Sequence, residues 1–205
     1  MTKNKHNLPD GWQWVKLGDV CEIINGSTPK STIDEYWNGD IVWITPTDLG
    51  QLSTPIIKDS LRKITEKGYK SCNTNIVPKG SIIFSCRAPI GHIGIADVSL
   101  CTNQGCKSFV LKENIDQWFL YYYIKESVPE LQSLGSGATF KEISKSKLAT
   151  FPILLPPIDE QKRIASILNE QMSAVERARK AAEAQLEAIN QLPSALLRRA
   201  FNGEL

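Results

Sequence analysis

The chain has 205 residues, which suits one globular domain of about 150 residues and an appendage, and does not suit two such domains. Its 41% apolar and 22% charged content is ordinary for a soluble protein, and no apolar run approaches the ~18 residues that span a bilayer, which argues against a membrane protein. A net charge of +2 selects no partner by itself, and five cysteines without a Cys-x-x-Cys pair argue against a disulfide framework.

The start, Met-Thr-Lys-Asn-Lys-His-Asn, lacks an apolar signal core, so a cytoplasmic protein is expected. Leu8-Pro9-Asp10-Gly11-Trp12 is turn chemistry, and Val15 to Ile24 reads as a helical turn or strand leading into Asn25-Gly26. A short buried strand is expected at Ile41-Val42-Trp43-Ile44, bounded by Asn38-Gly39 and Thr45-Pro46. Another is expected at Ile82-Ile83-Phe84 after the Pro78-Lys79-Gly80 turn, with further strands at Ile93 to Ala96 and Ser108 to Leu111. Trp118, Phe119, Tyr122, Tyr123 and Ile124 recur at helical spacing between residues 115 and 134, which predicts a packed helix rather than a stacking platform.

Leu134 to Thr139 is loop chemistry ending in a start signal. Thr139 with Glu142 three residues later has capping-box spacing, which predicts a short helix from about Phe140 to Lys147. Lys141, Lys145 and Lys147 beside its exposed amides suit a backbone phosphate. A strand from Ala149 to Leu155 leads to Pro156-Pro157, whose fixed φ suits a helix start, and Asp159 and Glu160 complement the dipole of the helix that follows. That helix is expected from about Ile158 to Phe201, roughly 65 Å at ~1.5 Å per residue, with Pro193 kinking it or splitting off the segment Ser194 to Phe201.

The long helix carries a countable seam. Leu168, Val175, Ala182, Ile189 and Leu196 fall seven apart, and Ile164, Ala178 and Leu192 take the companion position, interrupted by Gln171, Gln185 and Arg199. This is the pattern of a helix-pairing arm. Charge is also uneven: residues 1 to 60 hold five Lys/Arg against eight acids, whereas residues 58 to 87 hold seven Lys/Arg against two. Such a window is either the footprint of phosphate neutralisation or a solvated charged face.

Catalytic patterns are missing. There is no G-x-x-x-x-G-K-[ST] and no G-x-G-x-x-G after a strand, and Gly135-Ser136-Gly137 reads as a hinge. The strand order leaves no room for the doubly wound sheet of an adenine methyltransferase. Glu160-Gln161-Lys162 resembles the end of a metal-dependent nuclease motif but opens a helix with no partner acid on a preceding strand. Cys86, His92, Cys101 and Cys106 match no zinc-finger spacing, so buried thiols are expected there. The expectation is a non-catalytic binding module with no cofactor and no metal.

Along its whole length the chain resembles the specificity subunits (HsdS) of type I restriction-modification systems. The resemblance is carried by Leu8-Pro9-Asp10-Gly11-Trp12 with Leu17-Gly18-Asp19-Val20, Asn25 to Lys30, Tyr36 to Ile44 with Asp48-Leu49, and Pro78 to Arg87. Ile90-Gly91, Asn103-Gln104-Gly105 and the stretch from Gly137 through Thr139 to Ile143 follow. Leu155-Pro156-Pro157 with Glu160 to Ile164, closed by Ala200 to Leu205, is the strongest segment. The resemblance implies an α+β fold: a mixed α/β target recognition domain, residues 1–155, followed by a conserved helical arm, residues 156–205, that pairs as an antiparallel coiled coil. It also implies double-stranded DNA, methyltransferase (M) subunits and a restriction (R) subunit as partners.

Family members are similar to two recognition domains, each with its own helix, whereas this chain holds one of each. Two copies joined across their arms would recreate the helix pair and read an interrupted palindrome over roughly 20 base pairs. The expected dimer interface comprises Ile164, Leu168, Val175, Ala178, Ala182, Ile189, Leu192 and Leu196. Pairing with a different half, or a structural dimerisation protein with a degenerate reader, are the competing expectations. Phosphate contacts are expected from Lys63, Lys67, Lys70 and Lys141, and base contacts from Arg62, Arg87, Asn103 and Gln104.

Overall fold

The computed structural model describes residues 8–87, 89–137 and 141–204. The chain divides into two compact units, one ending at Arg163 and one beginning at Ile164.

In the first unit, residues that alternate or run apolar build three small sheets. β1 (Gln13–Lys16) pairs antiparallel with β10 (Pro152–Leu155), placing Gln13 opposite Leu155. A single helical turn, α1 (Leu17–Val20), separates β1 from β2 (Cys21–Asn25), so the stretch read as a turn or strand holds both. The central sheet runs β2-β9-β6-β7-β4, formed by β2, β9 (Cys106–Leu111), β6 (Ile82–Ser85), β7 (Ile93–Ala96) and β4 (Ile56–Ile57). Its pairs are antiparallel except β4 with β7. Ile82, Ile83 and Phe84 are all fully buried, so β6 is covered on both faces, as an unbroken apolar run in a central strand requires.

The third sheet, β5-β3-β8, combines β3 (Trp37–Ile44), β5 (Lys63–Ile64) and β8 (Cys101–Thr102). β3 begins four residues earlier than the apolar run Ile41–Ile44 because a register shift between Trp37 and Ile41 takes the strand through Asn38-Gly39 instead of stopping there. Asn38 supplies the left-handed backbone at φ 62. Gly39 passes so close to β5 that a Cβ would lie 2.5 Å from the Ile64 carbonyl oxygen, so only glycine fits.

Apolar clusters pack the interior of this unit among the described residues. Val42, Ile44, Leu49, Ile57, Val77, Ile83, Leu100 and Cys106 form one, and Trp37, Trp43, Ile64 and Cys101 form another. The aromatic stretch between 115 and 134 folds as α4 (Gln117–Glu126) and α5 (Val128–Leu134), divided at Ser127 ahead of Pro129. Phe119, Leu120, Tyr121 and Ile124 are buried, as the packed-helix expectation requires.

Two local expectations are overturned. The helix after the glycine loop is α6 (Lys145–Ala149), capped by Ser144, whose hydroxyl accepts from the Lys147 amide. Glu142 therefore lies before the helix and pairs in isolated bridges with Arg87 and Ser136, while Thr139 and Phe140 lie outside the described residues. α6 also claims Ala149, which shortens the strand expected from that residue. The second correction concerns the separate helix expected after Pro193: Ser194 to Phe201 is not split off, and α7 runs from Ile158 to Phe201 with the proline inside it. Proline removes one hydrogen bond, but the helix of 44 residues continues past it to Phe201.

The second unit is the described part of α7 from Ile164 onward. Val175, Ile189, Leu192 and Leu196 are 53 to 60% exposed, Ala178 and Ala182 are exposed, and Ile164 and Leu168 are half-buried. Arg179 pairs with Glu176 and Glu183 on the polar side of the same helix. Among the described residues no helix is long and apolar enough to cross a membrane.

Candidate nucleic-acid interface

The basic window is largely neutralised by the fold. Lys63 pairs with Asp59 at 3.0 Å, Lys67 with Glu35 at 2.8 Å, Lys70 with Glu66 at 3.1 Å and Lys79 with Asp97 at 2.6 Å. The hydrogen bond and charge of Lys67 hold the Glu35 carboxyl below its ordinary range, and Glu35 in turn raises the Lys67 ammonium. These exposed pairs add little stability. Their consequence is electrostatic: three of the four lysines expected on phosphate already face a carboxylate.

Arg62 is held differently. Its guanidinium carbon lies 3.6 Å from the centroid of the Trp37 ring, a cation–π contact made by a residue that stays exposed. The loop that carries it is fixed at two points, one on β3 and one on the helical turn that follows it. The Trp43 amide donates to the Ser60 hydroxyl, and the Leu61 amide donates to buried Asp48 at 2.7 Å. Asp48 also accepts from the Thr45 amide at the cap of α2 (Pro46–Gly50). Trp37 packs edge-on against Trp43, and their indole N–H groups donate to the carbonyls of Lys30 and Ser27. The aromatic pair therefore positions Arg62 and the 27–30 loop together.

Arg87, Asn103 and Gln104 each make a polar contact within the fold. Arg87 reaches Glu142 at 3.3 Å, and Glu142 also faces the buried ammonium of Lys107 at 3.5 Å. Asn103 accepts from the Gly105 amide at 2.9 Å, closing a turn, and the Gln104 carboxamide oxygen accepts from the Thr28 hydroxyl. Lys141 is exposed. Cys86 and Cys101 donate to the carbonyls of Gly105 and Val42, and among the described residues no three His, Cys, Asp or Glu side chains converge as metal ligands.

A polar groove of about 640 Å³ lies beside these groups, lined by Glu22, Ile24 and Asn25 from β2, Gly26 and Ser27 from the loop after it, and Asn73, Asn75, Ile76 and Lys145. The segment around Thr74 alternates in burial. Thr74 is buried and donates to the Thr102 carbonyl at 2.9 Å, so Asn73 and Asn75 are both exposed. The Ser27 amide donates to that same carbonyl at 2.9 Å, and a Cβ on Gly26 would lie 2.4 Å from it. Both walls of the groove thus hang from one backbone oxygen. Sequence reasoning took Asn25 only as a turn residue and passed over Asn73 and Asn75; their signal was the alternation of two carboxamides about a single threonine.

The sequence profile of the type I restriction modification DNA specificity domain matches residues 9–187. The chain belongs to this family. The specificity-domain chain is 39% identical over 175 residues to the MjaIX type I restriction enzyme specificity subunit of Methanocaldococcus jannaschii, covering 84% of its own length and 40% of that protein. It is also similar to the solved HsdS subunit of Thermoanaerobacter tengcongensis, with TM-score 0.69 and 30% identity over 99% of this chain and 48% of that one. A chain solved in a study of assembly and conformational transition of the type I R-M system matches with TM-score 0.77 and 31% identity, covering 99% and 49%. The specificity-domain chain thus spans two fifths to one half of the length of these relatives, and its mixed α/β fold with a long C-terminal helix is shared with them.

Proposed function

We propose that this chain is the non-catalytic, sequence-reading half of a type I restriction-modification specificity assembly. Residues 1–155 read one half of a bipartite DNA site, and residues 156–205 form the arm. A second copy pairs along that arm, and the pair directs methyltransferase and restriction subunits to the site. The observation that carries this reading is the arm itself: a 44-residue helix in a chain of this family whose heptad positions Val175, Ile189, Leu192 and Leu196 stand exposed. An isolated helix with that much uncovered apolar surface gains its stability by burying the seam against another helix. A two-fold pair puts identical readers on both half-sites, so the target is an interrupted palindrome.

The test is a single-molecule methylation map of genomic DNA from a host carrying this chain with a type I methyltransferase subunit, compared with the same host lacking this chain. Adenine methylation at an interrupted palindrome that vanishes with the chain supports both the reading role and the symmetric pair. An asymmetric bipartite site keeps the role and replaces the second copy by a different half. Identical maps with and without the chain reject the reading role in favour of a structural dimerisation protein.

A further inference from the structure

We propose that the polar groove between the end of β2 and the Asn73–Ile76 segment reads an A·T pair in the DNA major groove, with Asn73, Asn75 and Asn25 on the adenine edge and Lys145 on a neighbouring phosphate. This rests on the DNA-reading function proposed above and names the residues and base that carry it.

Hydrogen-bonding supply is the first argument. Arg87, Asn103, Gln104, Lys63, Lys67 and Lys70 all spend donors or acceptors inside the fold. Among the described residues, the side chains of Asn25, Asn73 and Asn75 make no hydrogen bond to protein, and Lys145 makes no ion pair, although all four border one concavity. Three unspent carboxamides that share a groove have their donors and acceptors available to a ligand edge.

Rigidity is the second. Thr74 Oγ1 and the Ser27 amide both donate to the Thr102 carbonyl, each at 2.9 Å, so the Asn73–Asn75 wall and the Gly26–Ser27 wall are referenced to one atom. The shared acceptor fixes the backbone spacing of the two walls, so that only the carboxamide rotamers remain to be ordered on binding.

Chemistry then selects the base. A carboxamide offers one acceptor and one donor side by side, matching the N6 donor and N7 acceptor of adenine. Guanine presents two acceptors there and calls for Arg or Lys; the groove holds no Arg, and its one lysine, Lys145, is the group assigned to the phosphate. Ile76, 43% exposed on the groove wall, supplies the apolar contact that suits the methyl group of the paired thymine. The carboxylate of Glu22 keeps phosphates off its own side, leaving the Lys145 side for the backbone.

The experiment uses the full chain assembled with methyltransferase subunits. Asn73→Ala combined with Asn75→Ala should leave the two halves and spacing of the methylated site intact while one A·T position per half becomes degenerate, with discrimination there falling roughly ten- to a hundredfold. Lys145→Ala should weaken binding about equally to all sequences and reduce the salt slope by about one. On the DNA side, 7-deazaadenine at the affected position should weaken binding by the wild-type chain and not by the double variant. An unchanged motif in the double variant, or a loss that is uniform across sequences, overturns the assignment while the reading role stands. A wild-type chain that directs no methylation overturns the role itself.

Discussion

The ammonium of Lys107 ends 3.5 Å from the carboxylate of Glu142, with the lysine side chain 7% exposed and the glutamate 38%. A buried cation on a central strand is thus compensated by a residue from the segment that follows the glycine loop. Removing the compensation leaves the charge in place. Glu142→Ala is expected to destabilise the chain by roughly 2–3 kcal/mol in urea unfolding, below the usual cost of breaking a fully buried pair because Glu142 itself is partly solvated. Adding Lys107→Met to that background should recover most of the loss. Equal stability of Glu142→Ala and wild type would show that the pair carries no weight.

Gln161 is 1% exposed and spends its whole carboxamide: its oxygen accepts from the Asp116 amide at 2.8 Å, and its nitrogen donates to the carbonyls of Pro156 and Asn114. The glutamine in the segment that resembles a nuclease motif is therefore a tie between the start of α4 and the proline turn. Gln161→Leu, similar in size but without hydrogen bonds, should cost about 1–3 kcal/mol, chiefly by stranding the buried Pro156 carbonyl. A midpoint within error of wild type would contradict this.

Val175→Asp and Ile189→Asp place charges on the arm at positions seven-residue multiples apart. The pair of substitutions should convert a dimer into a monomer in analytical ultracentrifugation and lower the helical signal in circular dichroism, since an unpaired helix loses its tertiary support. A dimer that persists unaltered removes the arm from the interface.

Burial pushes the Cys21 and Cys101 thiols up to about 12 and raises Cys86 and Cys106 as well. A proton held more tightly in the folded than in the unfolded chain stabilises the fold below the ordinary thiol value of 9.0, and this contribution is lost as pH rises from there towards about 12. Stability should therefore fall along an alkaline limb beginning near that lower value. Replacing Cys21 and Cys101 with Ala should flatten the limb even if it lowers the plateau. At neutral pH the half-buried Cys72 should react with a thiol reagent before the other four.

What the sequence disclosed follows the range of the interactions involved. Ile82–Phe84, Ile93–Ala96 and both ends of α7 were legible because apolar period, proline and first-turn acids act within a few residues. The start of β3 was not, since Asn38 and Gly39 form a turn signal that the neighbouring β5 overrides by requiring a bulge. Thr139 and Glu142 satisfy capping-box spacing, yet the Glu142 carboxylate is claimed by Arg87 and Lys107, 55 and 35 residues earlier in the chain. The pairing within the basic window was hidden for the same reason: the Glu35 that pairs with Lys67 sits on a separate 3-10 turn, Asp34–Tyr36. Composition counts charges along the chain, whereas a nucleic acid meets those left unpaired after folding.

The antiparallel contact of Gln13 with Leu155 and of Lys16 with Pro152 brings the entry and exit of the first unit to adjacent strands. Everything between those strands is a loop excursion from a closed clasp. Such a segment can be exchanged for one of different length and sequence while the two flanking ends keep their spacing.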